Sequence, residues 1–316
     1  LAKTQVILDT DMDTDCDDAG ALAVFNNYMN KGKIDMMAVI CNAPAAYGGS
    51  CVETINRCYG NVSVPIGVVR GHDIGPDFPV RFRNYLAHVE KTSSRSYNQI
   101  VGRPVGKHAS EYPSAVAVYR RVLSGSSDNS VVICCTGLLT ALSLLLQSRP
   151  DQYSALSGVE LVAKKVKYIV SMACLPFPDS GNERFNWKMD AVAAEYVVNT
   201  SPVPLHISST GVGVLTGNTL SDLLPHDHPV RQAYEIYLGG PNKSRPSWDQ
   251  IALLYVMGQD AELFKVKTGY RVSYQAEGNI CSWSAAGNSR QDCYVELAVS
   301  EQHMAEIIEA LMTEQA

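Results

Sequence analysis

Apolar positions fall into short solid runs separated by longer mixed stretches. Val6-Ile7-Leu8, Ile34 to Cys41, Pro65 to Val69, Val131 to Cys135, Val166 to Met172 and Leu205 to Ser209 show little alternation between apolar and polar residues. Such runs predict strands buried on both faces. Ala19 to Met29, Val52 to Tyr59, Ala115 to Leu123, Leu138 to Gln147 and Asp190 to Val198 read as helices between them. Strand–helix alternation of this kind predicts an α/β fold, with a mostly parallel central sheet and helices on both faces. The tail differs: Tyr270 to Val299 has strand-like stretches broken by Gly and Asn, and Glu301 to Met312 reads as a closing helix. Gly71 to Gly106, rich in Gly, Pro, Arg, His and Tyr, has little periodicity and reads as a long loop over the sheet edge. Loops of that length inside a compact domain are usually functional or mobile. No repeat or linker interrupts the chain, so one domain over residues 1–316 is expected.

Composition narrows the function. The net charge is −6, with no basic stripe, which argues against a nucleic-acid partner. No apolar run is long enough to predict a membrane span. Nine cysteines cannot all pair within one chain, and most read as buried thiols; Cys281 and Cys293 flank a turn-rich stretch and could pair across a hairpin. The first residue is Leu1 rather than Met. The compartment is therefore open: cytoplasmic, or periplasmic or secreted after loss of a leader.

The strongest chemical signal follows the first strand. Asp9, Asp11, Asp13, Asp15, Asp17 and Asp18 place six carboxylates within ten residues. Ligands of open α/β sheets bind beyond the carboxyl ends of strands. Clustered carboxylates repel one another unless cations or protons neutralise them. Hard oxygens on a turn suit Ca²⁺. An EF-hand register fails, because counting from Asp9, Asp11 or Asp13 never gives Gly at the sixth position and Glu at the twelfth. An aspartyl-phosphatase Asp-x-Asp-x-Thr/Val pattern fails as well, since Asp11-x-Asp13 is followed by Asp15.

The run Asp9 to Leu22 resembles the N-terminal signature of nucleoside hydrolases, in a divergent branch with a longer loop where Asp13 stands in place of the usual Gly. Further stretches are similar to that family in the same order: Asn42 after the second strand, Glu53 to Ile66, Val131 to Leu142 with its Cys135-Thr136-Gly137, Asn182 to Asn186 followed by Asp190, and Ser247 to Ala252 around Asp249. The resemblance spans nearly the whole chain and implies a nucleoside-hydrolase-like, Rossmann-like open sheet. It implies a calcium ion held by Asp11, Asp18, the Thr136 carbonyl and Asp249, with Asp11 also the general base. Asp17, Asn42, Asn182, Glu183 and Asn186 would bind the sugar, Trp248 would meet the leaving group, and Asp13 and Asp15 would be additional metal or site carboxylates. The implied reaction is hydrolysis of the N-glycosidic bond of a nucleoside or related ribofuranoside by metal-activated water, with inversion and no covalent intermediate. A homodimer or homotetramer is also implied.

Two departures bear on the substrate. Where the pyrimidine-accepting branch has a His before the last calcium aspartate, this chain has Trp248, which supplies no proton. Trp248 would stack on an aromatic leaving group, or the leaving group is no nucleobase, or the indole simply packs in the core. Arg184 occupies the place of a sugar-binding Glu, with Glu183 one residue early, and a guanidinium suits a carboxylate or phosphate better than neutral hydroxyls. Two other functions remain open: hydrolysis of a non-nucleoside glycoside, and calcium-dependent sugar binding without catalysis. His72, His88 and His108 lie in or just after the Gly71 to Gly106 segment, close enough in sequence to approach the site.

Overall fold

The computed structural model describes residues 3–258 and 261–314; the other positions of the expected 1–316 domain lie outside the described residues. Its strands are β1 (Thr4–Thr10), β2 (Ile34–Cys41), β3 (Ile66–Val68), β4 (Val131–Cys135), β5 (Val166–Met172), β6 (Gly181–Asn182), β7 (Leu205–Ser208), β8 (Leu215–Thr216), β9 (Arg245–Pro246), β10 (Phe264–Gln275), β11 (Ile280–Ala285) and β12 (Asp292–Leu297). Ten of them form one sheet in the order β3-β2-β1-β4-β5-β7-β12-β10-β11-β6, and β8 pairs with β9 separately. From β3 through β12 neighbouring strands are parallel. Antiparallel β10, β11 and β6 extend that edge.

The solid apolar runs have a simple physical cause. Successive residues of a strand face opposite sides, and both sides of this sheet are covered. Val6 and Leu8 of β1 and Val132 and Cys134 of β4 pack with the helices Asp17–Asn30, Trp248–Met257 and Glu301–Thr313. Ile7, Ile133 and Cys135 pack on the other face with the helices Ala115–Gly125, Thr140–Leu146, Gly158–Lys165 and Ala191–Thr200. No helix among the described residues is long and apolar enough to cross a membrane.

Two expectations are corrected. The segment from Gly71 to Gly106 is not a loop: it carries the helices Gly71–Ile74, Phe78–Arg81, Arg83–Thr92 and Asn98–Val101. Its own Phe82, Tyr85 and Tyr97 are buried. Three of the helices have four residues each, too short for a readable period, and the ten-residue helix Arg83–Thr92 buries only Tyr85, so it shows no buried apolar stripe; distant side chains hold the segment in place. Arg81 forms a two-pronged ion pair with the buried Asp190 (2.6 and 2.7 Å), and Asn84 donates to the Lys188 carbonyl. Cys281 and Cys293 do not pair, because β10 runs between their strands. The Cys281 thiol lies instead against Cys174, and all nine cysteines are free.

Candidate active site

Parallel strands deliver their carboxyl ends to one edge of the sheet. Asp9 sits opposite Ile40 of β2 and Cys135 of β4, so the residues after β1 and β4 emerge side by side. A pocket of about 330 Å³ opens there, lined on its polar side by Asp11, Asp17, Asp18, Thr136, Asn186 and Asp249.

Each acidic group arrives by a definable route. Asp11 is the first residue after β1 and is buried. Thr14 donates its hydroxyl to Asp11 Oδ2 at 2.6 Å. Asp17 and Asp18 open the helix Asp17–Asn30, where unpaired N–H groups and the helix dipole favour negative charge. Thr10 donates its hydroxyl to Asp18. Asp249 lies in the first turn of the helix Trp248–Met257, and its N–H donates to Asp17 Oδ2 at 3.2 Å. Oxygens of Asp17, Asp18 and Asp249 lie within 4.8 Å of one another.

Burial pushes all four carboxyls up. Asp11 rises to about 6 through desolvation, with the Asp15 charge adding to it and the Thr14 hydroxyl opposing. Desolvation also carries Asp17, Asp18 and Asp249 well above the ordinary carboxylate range, and repulsion among the neighbouring aspartates adds to it. The basic side chains lining the pocket are His88, Arg184 and Arg245. Arg245 is committed to Asp15, whose carboxylate it meets at 2.9 Å, and its guanidinium lies over the rings of Tyr237 (5.6 Å) and Trp248 (5.4 Å). Buried carboxylates without a matching basic group form a donor set suited to a divalent cation.

The other expected residues divide. Asn186 reaches the pocket, with its amide donating to the carbonyls of Thr136 (2.8 Å) and Met172 (2.7 Å). Glu183 also lines it, and its buried carboxylate accepts the Lys188 N–H at 3.0 Å; Arg184 is exposed at the same wall. Trp248 lines the pocket and is half-buried rather than a core residue. Asp15 is at the mouth, neutralised by Arg245.

Three expected residues do not face the cavity. Asn42 is fully buried behind the floor, donating to Asp9, which Tyr119 also holds. Asp9 rises to about 7 because it is buried there. Asn182 is exposed on β6 and donates to the Gly278 carbonyl, since its strand pairs with β11. Asp13 points away from the pocket toward Ser96, Tyr97 and Asn98. Of the three histidines, His88 lines the pocket, with Nε2 3.2 Å from the Thr14 carbonyl and its ring edge-on to Phe185. His72 sits beside Asp73, and His108 packs on Tyr47. Sequence reasoning missed Tyr237 and Arg245, which lie in no motif; the one available signal was an arginine three residues before Trp248.

Gly137 fixes how close the turn after β4 approaches Asp11. A Cβ there would stand 2.4 Å from Asp11 Oδ1, inside any tolerable contact. Gly137→Ala is therefore expected to displace the Asp11 carboxylate and lower turnover about a hundredfold, the scale of a 1 Å misplacement. Steady-state kinetics beside circular dichroism checks this; a folded variant with unchanged turnover would refute it.

The family profile described as inosine-uridine preferring nucleoside hydrolase matches residues 6–311. No curated protein sequence gives a significant match. Among solved structures, a plant nucleoside hydrolase superposes with TM-score 0.69 at 17% identity, covering 99% of each chain. An inosine-uridine preferring nucleoside hydrolase from Bacillus anthracis gives TM-score 0.63 at 16% identity, covering 98% of this chain and 99% of its own. A type III effector protein complexed with adenosine diphosphate ribose gives TM-score 0.68 at 14% identity, covering 98% and 92%.

Proposed function

Because the chain belongs to the family of inosine-uridine preferring nucleoside hydrolases, we propose that it hydrolyses the N-glycosidic bond of a ribonucleoside in this pocket with the help of one calcium ion. The observation that carries the metal is the convergence of buried Asp11, Asp17, Asp18 and Asp249 while the adjacent guanidinium of Arg245 is spent on Asp15. Asp11, Asp18, Asp249 and the Thr136 carbonyl would hold the ion, with Asp17 beside it. A bound divalent cation supplies positive charge against the carboxylates and Lewis acidity toward water.

The protein's own groups do the rest. Asp11 takes a proton from the attacking water as its oxygen bonds to the anomeric carbon. The carbon–nitrogen bond breaks with its electron pair going to the departing nucleobase, which gains a proton from water as Asp11 returns its own to solvent, through a transition state of oxocarbenium character. Asp17, Asn186 and Glu183 orient the sugar hydroxyls, a proximity effect. Trp248, Tyr237 and Phe185 give the pocket an aromatic side, which suits a planar leaving base.

A second reading, in which the substrate carries an anionic group, is favoured by Arg184, an exposed guanidinium at the pocket wall. The structural neighbour complexed with adenosine diphosphate ribose agrees with it. The test is release of free ribose from purine and pyrimidine nucleosides, with the 5′-monophosphates and adenosine diphosphate ribose run alongside. Release from nucleosides supports the first reading. Release from the phosphorylated compounds alone supports the second, and none from any of them overturns both.

A further inference from the structure

Asp13 is a carboxylate of the acidic loop that the chemistry above does not use, and unlike Asp15 it meets no basic side chain among its hydrogen-bond partners in the described residues. Its φ is +97°, a region where a side chain is strained and glycine fits. Such strain persists only where the surroundings over-determine the conformation. Here they do. Asp13 Oδ1 accepts the N–H groups of Tyr97 (2.7 Å) and Asn98 (3.0 Å), and Oδ2 accepts the Ser96 hydroxyl (2.6 Å). In the opposite direction, the Asp13 N–H donates to the Tyr97 hydroxyl at 3.1 Å, and that hydroxyl donates to the Asp15 carbonyl at 2.7 Å. Tyr97 is fully buried, so the anchor is part of the core.

The bonds lock the middle of the bridge between Asp11 and Asp17. The next residue, Thr14, reaches Asp11 with its hydroxyl, and its carbonyl accepts the Tyr237 hydroxyl at 3.3 Å. We propose that Asp13 is a positioning residue: it ties loop 12–16 to the anchor Ser96–Asn98, so that Asp11 at one end and Asp17 and Asp18 at the other meet in one pocket. The segment from 71 to 106 thereby serves the reaction through residues that touch no substrate.

Asp13→Gly and Asp13→Asn separate the tether from the strain. Glycine relieves the positive φ but removes the side-chain bonds. Asparagine keeps an oxygen for the two amides and an NH₂ for the Ser96 hydroxyl. Hydrogen exchange of peptides covering residues 10–18 and 93–100 is the primary reading. Asp13→Gly is expected to exchange at least about tenfold faster in both, with Asp13→Asn close to the parent. In ribose release, kcat of Asp13→Gly should fall about tenfold to a hundredfold and that of Asp13→Asn much less. Parental exchange in Asp13→Gly, or an Asp13→Asn as loose as the glycine variant, would overturn the proposal. The kinetic arm rests on the nucleoside-hydrolase reading and the exchange arm does not. An inactive parent would undo that reading and leave exchange to decide this one.

Discussion

Asp11→Asn is expected to lower kcat by about 10³-fold, within the range that a positioned general base contributes. Asparagine has nearly the same shape and can still accept the Thr14 hydroxyl, so the loop should keep its path. What it loses is the capacity to take a proton and the negative charge it would offer the ion, so the comparison is made at saturating calcium, where the loss that remains is that of the base. In the calcium-free protein the substitution removes one of several mutually repelling buried charges, so the fold should not be weakened there. The measurement is kcat on the best nucleoside beside thermal unfolding of both proteins. A folded Asp11→Asn within tenfold of the parent would remove Asp11 from the base role.

Arg81→Leu is expected to be the most destabilising single change near the site. Asp190 is fully buried and accepts Arg81 through two bonds, the Thr140 hydroxyl at 2.6 Å and the Ala193 N–H at 3.3 Å. Removing the guanidinium leaves a buried charge uncompensated, at a cost of about 3–5 kcal/mol. For a chain of this size that lowers Tm by roughly 10 °C. The same bond ties the segment bearing His88 to the core, so activity should fall together with stability. Arg81→Leu combined with Asp190→Asn should recover part of the loss, because the orphaned charge is gone. Differential scanning calorimetry of the two single variants and the pair decides it; an unchanged Tm in Arg81→Leu contradicts this account of the ion pair.

The central strands were legible because their cause is local. Val6, Ile7 and Leu8 are all apolar since both sheet faces are covered, and no distant information is needed to see that. The helices of the 71–106 segment were not legible for the opposite reason. What holds them is remote in sequence: Asp13 for residues 96–98, and Asp190 for Arg81. At the site, the resemblance named residues by their place in the chain and left side-chain direction unread. Asp11, Asp17, Asp18, Thr136, Asn186 and Asp249 meet in one pocket. Asn42 turns behind the pocket floor to satisfy buried Asp9, and Asn182 turns out along the edge strand. Asp13 turns toward a segment whose packing no local pattern announces. Arg245 and Tyr237 were invisible because an ion pair to Asp15 and a ring under a guanidinium leave no spacing signature.

If the buried carboxylates hold a cation that nucleoside cleavage needs, withdrawing the cation must stop turnover. The direct test follows ribose release from a single accepted nucleoside in one sample, before a calcium chelator, after it, and after calcium is restored in excess. The account predicts loss of turnover on chelation and recovery on re-addition, with Asp249→Asn needing far more calcium to recover. A rate that chelation leaves unchanged would contradict it.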